Sequence, residues 1–248
     1  MLAMKYVALA MIVAGIAVSY VMWDEIPAWR LGGSNSLPLE GVATSPAPNM
    51  CPEGGETIEL RGDSLVAGGR MGSVRGMDSL PYGVVLEREL GRDVEVLLRG
   101  RGGSTAAQGE EAWRDEDRHG DIVLLAYGTN DAAPRGWLRS KVPVPIEEFE
   151  AALGSQVRQA LARGSRVGLM APPPGGSVAI NRRLQVYREA VARVAQETGV
   201  PAFDPADALA ECRETGPLLS YDALHLNPRG HHCIGIWLAK ELCPENLS

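Results

Sequence analysis

From Thr57 onward, short apolar runs of aliphatic residues alternate with stretches whose apolar positions recur at helical spacing. The runs cover Thr57 to Leu60, Val94 to Leu98, Ile122 to Tyr127, Val167 to Ala171 and Val200 to Phe203, and each predicts a strand. Between them, Ile146, Phe149, Leu153, Val157, Ala160 and Leu161 fall on one helical face, as do Ile180, Leu184, Tyr187, Val191, Val194 and Ala195. Weaker helical patterns run over Asp78 to Leu90 and Ala106 to Arg118. A last helix is expected to open at Asn227-Pro228, where Asn caps and Pro suits the first turn, and to end before Pro244. Strands alternating with helices imply right-handed crossovers, so the pattern predicts an α/β fold. Its form is a three-layer α/β/α sandwich around a five-stranded parallel, flavodoxin-like sheet. Ligands of such sheets bind beyond the carboxyl ends of the strands, which directs attention to the loops that follow them.

The chain upstream reads differently. An uncharged run from Tyr6 to Trp23 follows Lys5 and is closed by Asp24 and Glu25, which predicts a signal anchor or signal peptide over 1–26. An uncleaved anchor is the preferred reading, because Ala17-Val18-Ser19 falls inside the run, not after it. The single early positive charge keeps the N-terminus inside and places the body outside the cytoplasm, periplasmic or secreted and tethered to the membrane by this segment alone. Residues 27–53, rich in Gly, Ser, Pro and Asn, predict a flexible tether, and 54–248 form the expected single folded domain. The chain carries 24 Lys and Arg against 31 Asp and Glu, a formal net charge of −7, and has no basic run. That balance excludes a phosphate-backbone partner, so no nucleic acid is expected.

Four of the strand-end loops hold chemistry-bearing residues: Gly62-Asp63-Ser64-Leu65, Gly102-Gly103-Ser104, Gly128-Thr129-Asn130-Asp131 and Asp222-Ala223-Leu224-His225. Separately each is an ordinary turn or cap. Gathered at one sheet edge they supply what ester hydrolysis requires: a serine with a base, a carboxylate to orient that base, and donors for a developing oxyanion. Asp222 and His225 are three residues apart, one turn if the segment coils. Gly103 has no side chain to obstruct its N–H, and the Asn130 amide adds a donor beside the Ser64 N–H. Ser104 and Thr105 lack a base in their own motif and are expected to cap a helix.

In this chain order the four blocks resemble those of the GDSL/SGNH hydrolase family, over roughly Thr57 to Leu242. The resemblance implies a serine hydrolase with Ser64 as nucleophile, His225 and Asp222 as base and orienting acid, and an oxyanion hole formed by Ser64, Gly103 and Asn130. The segment Gly62 to Met71 is similar to periplasmic thioesterase/lysophospholipase members, while Gly128 to Asp131 and Pro172-Pro173-Pro174 are similar to arylesterase and carbohydrate-esterase members. Leu98 departs from many members, which carry Asn before the glycine block. The expected reaction is hydrolysis of short-chain carboxylic esters, with O-acetyl groups on a cell-envelope or secreted polysaccharide as substrate. Lysophospholipase or thioesterase action, and polysaccharide O-acetyl transfer with the same triad, are the alternatives.

The loops after the first three strands also carry Arg70, Arg75, Arg99, Arg101, Arg135, Arg139 and Lys141, a basic rim on an acidic protein. Arg99, Arg101 and the nearby Trp137 are the candidate substrate-binding residues. His231 and His232 read as cap or surface histidines, and no residues around His119 have zinc-site spacing, so neither a metal nor a cofactor is expected. The four cysteines are expected to pair outside the cytoplasm. Cys233 and Cys243 lie ten residues apart in or beside one helix, about 15 Å at about 1.5 Å per residue, too far to bond. The last helix runs from the active edge of the sheet to its opposite edge. Cys233 therefore stays near Cys212, above the fifth strand, and Cys243 nears Cys51, where the first strand enters. The expected bridges are Cys212–Cys233 and Cys51–Cys243.

Overall fold

A computed structural model describes residues 41–42, 50–91, 93–113, 119–132 and 142–244. The expected membrane segment over 1–26 and most of the tether over 27–53 lie outside the described residues, as do Trp137, Arg135, Arg139 and Lys141. Among the described residues no helix is long and apolar enough to cross a membrane.

Five strands form one parallel sheet: β1 (Thr57–Gly62), β2 (Glu95–Gly100), β3 (Ile122–Ala126), β4 (Arg166–Met170) and β5 (Ala202–Phe203), in the order β2-β1-β3-β4-β5. The helices are α1 (Tyr82–Leu90), α2 (Ala106–Trp113), the single turn α3 (Thr129–Ala132), α4 (Ile146–Ala162), α5 (Val178–Thr198), α6 (Ala206–Cys212) and α7 (Pro228–Leu242), with a 3₁₀ turn over Arg213–Thr215. The fold is the α/β arrangement that the alternation of periods predicts. Asn227 caps α7 with its side chain on the Gly230 N–H, and Pro228 occupies the first turn. The short α3, α6 and the 3₁₀ turn have too few residues to show a period, and the sequence pattern does not mark them.

Alternate residues of each strand enter different cores. Ile58, Leu60, Ile122 and Leu124 pack under α1 and α7, while Val123, Leu125 and Tyr127 pack under α2, α4 and α5. The expected β1 extends two residues past Leu60, because Arg61 and Gly62 still pair with Arg99 and Gly100 of β2. Glu59 and Arg61 point into the second layer fully buried, and Glu59 there accepts from Arg61 Nε at 2.7 Å and from the Gly120 N–H at 3.0 Å. This pairing satisfies two charges that burial alone would not tolerate.

Both disulfides are present, Cys51–Cys243 and Cys212–Cys233, and no cysteine is free. Two such bridges fit a protein that resides outside the reducing cytoplasm. Met50 is buried and Cys51 is bonded, so this end of the expected tether is packed against the domain.

Candidate active site

The strand order reverses direction between β1 and β3, and the loops leaving these two strands meet at the carboxyl edge of the sheet. After β1 the chain makes a tight turn: Asp63 Oδ1 accepts the Leu65 N–H at 2.8 Å, and the Ser64 carbonyl accepts the Gly69 N–H at 2.7 Å. Gly62 has to be glycine, since a Cβ there would meet the Ala126 carbonyl oxygen at 2.5 Å. The turn leaves the Ser64 side chain partly exposed, with Oγ 2.8 Å from Nε2 of His225.

His225 comes from the loop before α7. Its Nδ1 lies 2.7 Å from Asp222 Oδ2, while Asp222 Oδ1 accepts the His225 N–H at 3.0 Å and the Leu224 N–H at 3.2 Å. Burial by itself pushes the Asp222 carboxyl up, but the hydrogen bonds from His225 outweigh it and hold the group down at about 2. An ionised Asp222 only accepts, so Nδ1 carries the proton and Nε2 is bare toward the Ser64 hydroxyl. A hydroxyl in this position can hand its proton to the imidazole as its oxygen attacks an electrophile.

Two backbone amides belong to the loops at this edge. Neither the Ser64 N–H nor the Gly103 N–H donates to any described residue, and Gly103 adopts a left-handed φ of 79°. Asn130 stands at the start of α3 and donates one amide hydrogen from Nδ2 to Asp63 Oδ2 at 3.1 Å, leaving the other available. The structure therefore brings Ser64, Gly103, Asn130, His225 and Asp222 to one edge.

Two carboxylates that the sequence pattern does not single out hold this edge together. Asp63 bridges the Ser64 turn to Asn130. Asp131 accepts the Ala106 N–H at 3.1 Å and so fixes the start of α2, three residues beyond Gly103, against α3. The same helix start carries a capping box: the Thr105 hydroxyl accepts the Gln108 N–H, and Gln108 Oε1 accepts the Thr105 N–H. Burial raises both carboxyls, Asp63 to about 6 and Asp131 to about 7, and for Asp131 the neighbouring Asp63 charge adds to the rise. The signal for them lay in the sequence as Asp residues flanking Ser64 and Asn130, but their partners come from other elements.

His231 corrects the cap-or-surface expectation. It is fully buried, its Nδ1 accepts the Tyr82 N–H at 3.2 Å, and its ring stacks on Tyr82 with centroids 5.9 Å apart. Burial pushes its imidazole down to about 4. The helical spacing of His231 with Ile234, Leu238 and Leu242, all buried, was the available signal. His232, next to it, is exposed.

Of the candidate substrate residues, Arg99 sits on the second-layer face of β2, 3.7 Å from Glu59 and over the Trp113 ring at 5.8 Å. Arg101 is exposed at the strand end. A small, mostly apolar cavity is walled by Leu65, Tyr82, Thr129, Met170, Pro173 and Ile234 among others. Among the described residues no group of three or more His, Cys, Asp or Glu side chains is placed to hold a metal ion.

Comparison with known proteins bears on the family and the fold. The sequence model of the GDSL-like lipase/acylhydrolase family matches residues 60–233. No curated protein sequence matches the chain significantly. Among solved structures, a lipase/acylhydrolase from Enterococcus faecalis superposes with a TM-score of 0.59 at 20% identity, over 75% of this chain and 95% of that one. An α/β hydrolase from the metagenome of Lake Arreo, Spain, gives 0.62 at 24%, over 78% and 98%. An acetylxylan esterase from Geobacillus stearothermophilus gives 0.58 at 25%, over 77% and 95%. The two neighbours of lower identity share the fold, while the family match spans all four loop blocks, from β1 to Cys233. The chain belongs to the GDSL-like lipase/acylhydrolase family.

Proposed function

We propose that the chain is a serine esterase that removes short acyl groups, with O-acetyl groups of a cell-envelope or secreted polysaccharide as its substrate. The observation that carries the reading is the continuous line from Ser64 Oγ through the His225 ring to Asp222, 2.8 and 2.7 Å long at its two links. In this reading Ser64 Oγ attacks the acyl carbon while its proton passes to His225 Nε2. The carbonyl oxygen becomes an oxyanion held by the Ser64 and Gly103 N–H groups and the free amide hydrogen of Asn130. The intermediate collapses, His225 returns the proton to the departing alcohol, and an acyl-Ser64 remains. A water deprotonated by His225 then releases the acid.

The short acyl group is supported by the likeness to the acetylxylan esterase from Geobacillus stearothermophilus, at 25% identity over 77% of this chain. That favours an acetyl ester over the lysophospholipase or thioesterase alternative. Transfer of the acetyl to a second sugar uses the same acyl-enzyme and differs only in the nucleophile that resolves it. The two disulfides support action outside the cytoplasm, and the apolar run from Tyr6 to Trp23 is proposed to tether the domain to the membrane.

Ser64→Ala tests the assignment. Acetyl ester turnover should fall by about three orders of magnitude or more, with the unfolding midpoint retained, and fluorophosphonate labelling should vanish. Persisting labelling of that variant would remove Ser64 from the reaction. Across esters from acetyl to palmitoyl, kcat/KM should fall beyond the shortest chains.

A further inference from the structure

Among the described residues only two that are not glycine have a left-handed φ, Arg70 at 53° and Ala223 at 57°, and both adjoin Asp222. Ala223 follows it in the chain, and Arg70 Nη1 stands 3.9 Å from its Oδ2. Side-chain-bearing residues avoid this conformation unless their surroundings impose it, and such positions collect at functional sites. Here the surroundings are explicit. The Ser220 hydroxyl donates to the Arg70 carbonyl at 2.7 Å, the Ala223 carbonyl accepts the Gly176 N–H at 2.7 Å, and the Ala223 N–H donates to the Ser220 carbonyl at 3.0 Å. The chain thus holds Arg70 beside the Ser64–His225–Asp222 line against its own backbone preference.

The one charge partner of the guanidinium among the described residues is Asp222, paired loosely at 3.9 Å. The Arg70 side chain is 63% exposed and donates no hydrogen bond to any described residue, and the Asp222 oxygen nearest to it, beyond hydrogen-bonding distance, is occupied by His225 Nδ1. Arg99, by contrast, lies between Glu59 and Trp113. Tyr221 immediately precedes Asp222 in the chain and exposes 61% of its surface. A planar cation whose donors make no hydrogen bond, close to Asp222, and an exposed aromatic residue next to Asp222 in the chain suit an acidic group on a ring-shaped alcohol.

We propose that Arg70, together with Tyr221 on the chain next to Asp222, binds a carboxylate on the alcohol half of the ester, so that the preferred substrate is an O-acetyl group on a uronate-containing glycan. The proposal rests on the esterase reading above and specifies its substrate. Arg70 pairs with the uronate carboxylate while the pyranose lies along Tyr221, and the acetyl points to Ser64.

The full-length chain is assayed for acetate release from an O-acetylated oligogalacturonate and from the same oligomer with its carboxylates methyl-esterified. Wild type should prefer the acidic oligomer through a lower KM, and added salt should erode that preference. Glycine suits a left-handed φ, so Arg70→Gly removes the cation without adding strain. It should lower the acidic-to-neutral ratio of kcat/KM about tenfold, through KM, while Arg70→Lys should keep part of the preference. An equal loss on both oligomers would make Arg70 a support for Asp222 and overturn the proposal. So would wild type without a preference, or one that cleaves lysophosphatidylglycerol better than the acidic oligomer. If neither oligomer yields acetate while 4-nitrophenyl acetate is still cleaved, the uronate assignment fails and the Ser64 chemistry stands. Acetate release by Ser64→Ala would instead defeat the esterase reading itself.

Discussion

His231 shows how a single residue ties the fold to pH. Its folded imidazole lies at about 4 against the ordinary 6.5, so between those values the unfolded chain binds a proton that the folded protein refuses. Stability from this residue is therefore present above the ordinary imidazole range and is lost as pH falls from about 6.5 to about 4. Asp63 and Asp131 act in the opposite direction over an overlapping window, because carboxyls raised to about 6 and 7 take up protons more readily in the folded state. Asp222, held at about 2, costs stability only as pH falls below the ordinary carboxylate range. His231→Gln keeps a polar side chain and cannot titrate. Urea midpoints of wild type and this variant, measured from pH 7 to 4, should converge as pH falls, since only wild type loses the His231 contribution. Parallel curves would mean that the buried imidazole does not set the slope. The residues that the sequence marked most clearly were those whose neighbours in the chain already form a motif: Ser64, Gly103, Asn130, and His225 with Asp222. The burial of His231 was signalled by its spacing along α7, but its Tyr82 partner and the partners of the two buried carboxylates were illegible, since they arrive from separate elements.

At the scale of elements, α7 joins the site to the core. It begins just after His225 and packs against α1 through Gly235, where a Cβ would meet Val85 Cβ at 2.5 Å and the Tyr82 carbonyl oxygen at 2.8 Å. In an isolated helix, Gly→Ala gains about 1 kcal/mol of propensity. Here the methyl would force two helices apart, and overpacking of this kind costs about 1–3 kcal/mol. Gly235→Ala should therefore lower the unfolding free energy despite the better helix former, which chemical denaturation would read directly. A stabilised variant would show that the α1–α7 contact yields at little cost. The long helices α4 and α5 and the start of α7 were legible because an apolar face repeats over several turns or because Asn-Pro announces a cap. The turns α3 and α6 were not, since tertiary contacts decide whether four to seven residues coil.

At the scale of the molecule, the two disulfides divide labour. Cys51–Cys243 spans 192 residues and Cys212–Cys233 spans 21. In the chain-entropy model the longer closure removes about 2 kcal/mol more freedom from the unfolded state. The shorter one ties the end of α6 to α7, on either side of the segment that holds Asp222 and His225. Cys51→Ala with Cys243→Ala should cost more unfolding free energy than Cys212→Ala with Cys233→Ala, whereas the second pair should lose more acetyl ester turnover per folded molecule. The reverse ranking in denaturation and steady-state assays would refute this division.

By itself the sequence determined the alternation of strands and helices, hence the parallel sheet, and the loop blocks that face its carboxyl edge. It also determined the cysteine pairing, because the direction of the last helix sorts four cysteines into two ends. These follow from periodicity, caps and chain direction, which are local or nearly so. Only the tertiary structure decided that Asp63 and Asp131 brace the two sides of the site, that Arg99 belongs to an internal charge cluster, and that Arg70 is bent toward Asp222. Those outcomes depend on which side chains from distant segments share one low-dielectric space, and chain spacing carries no measure of that.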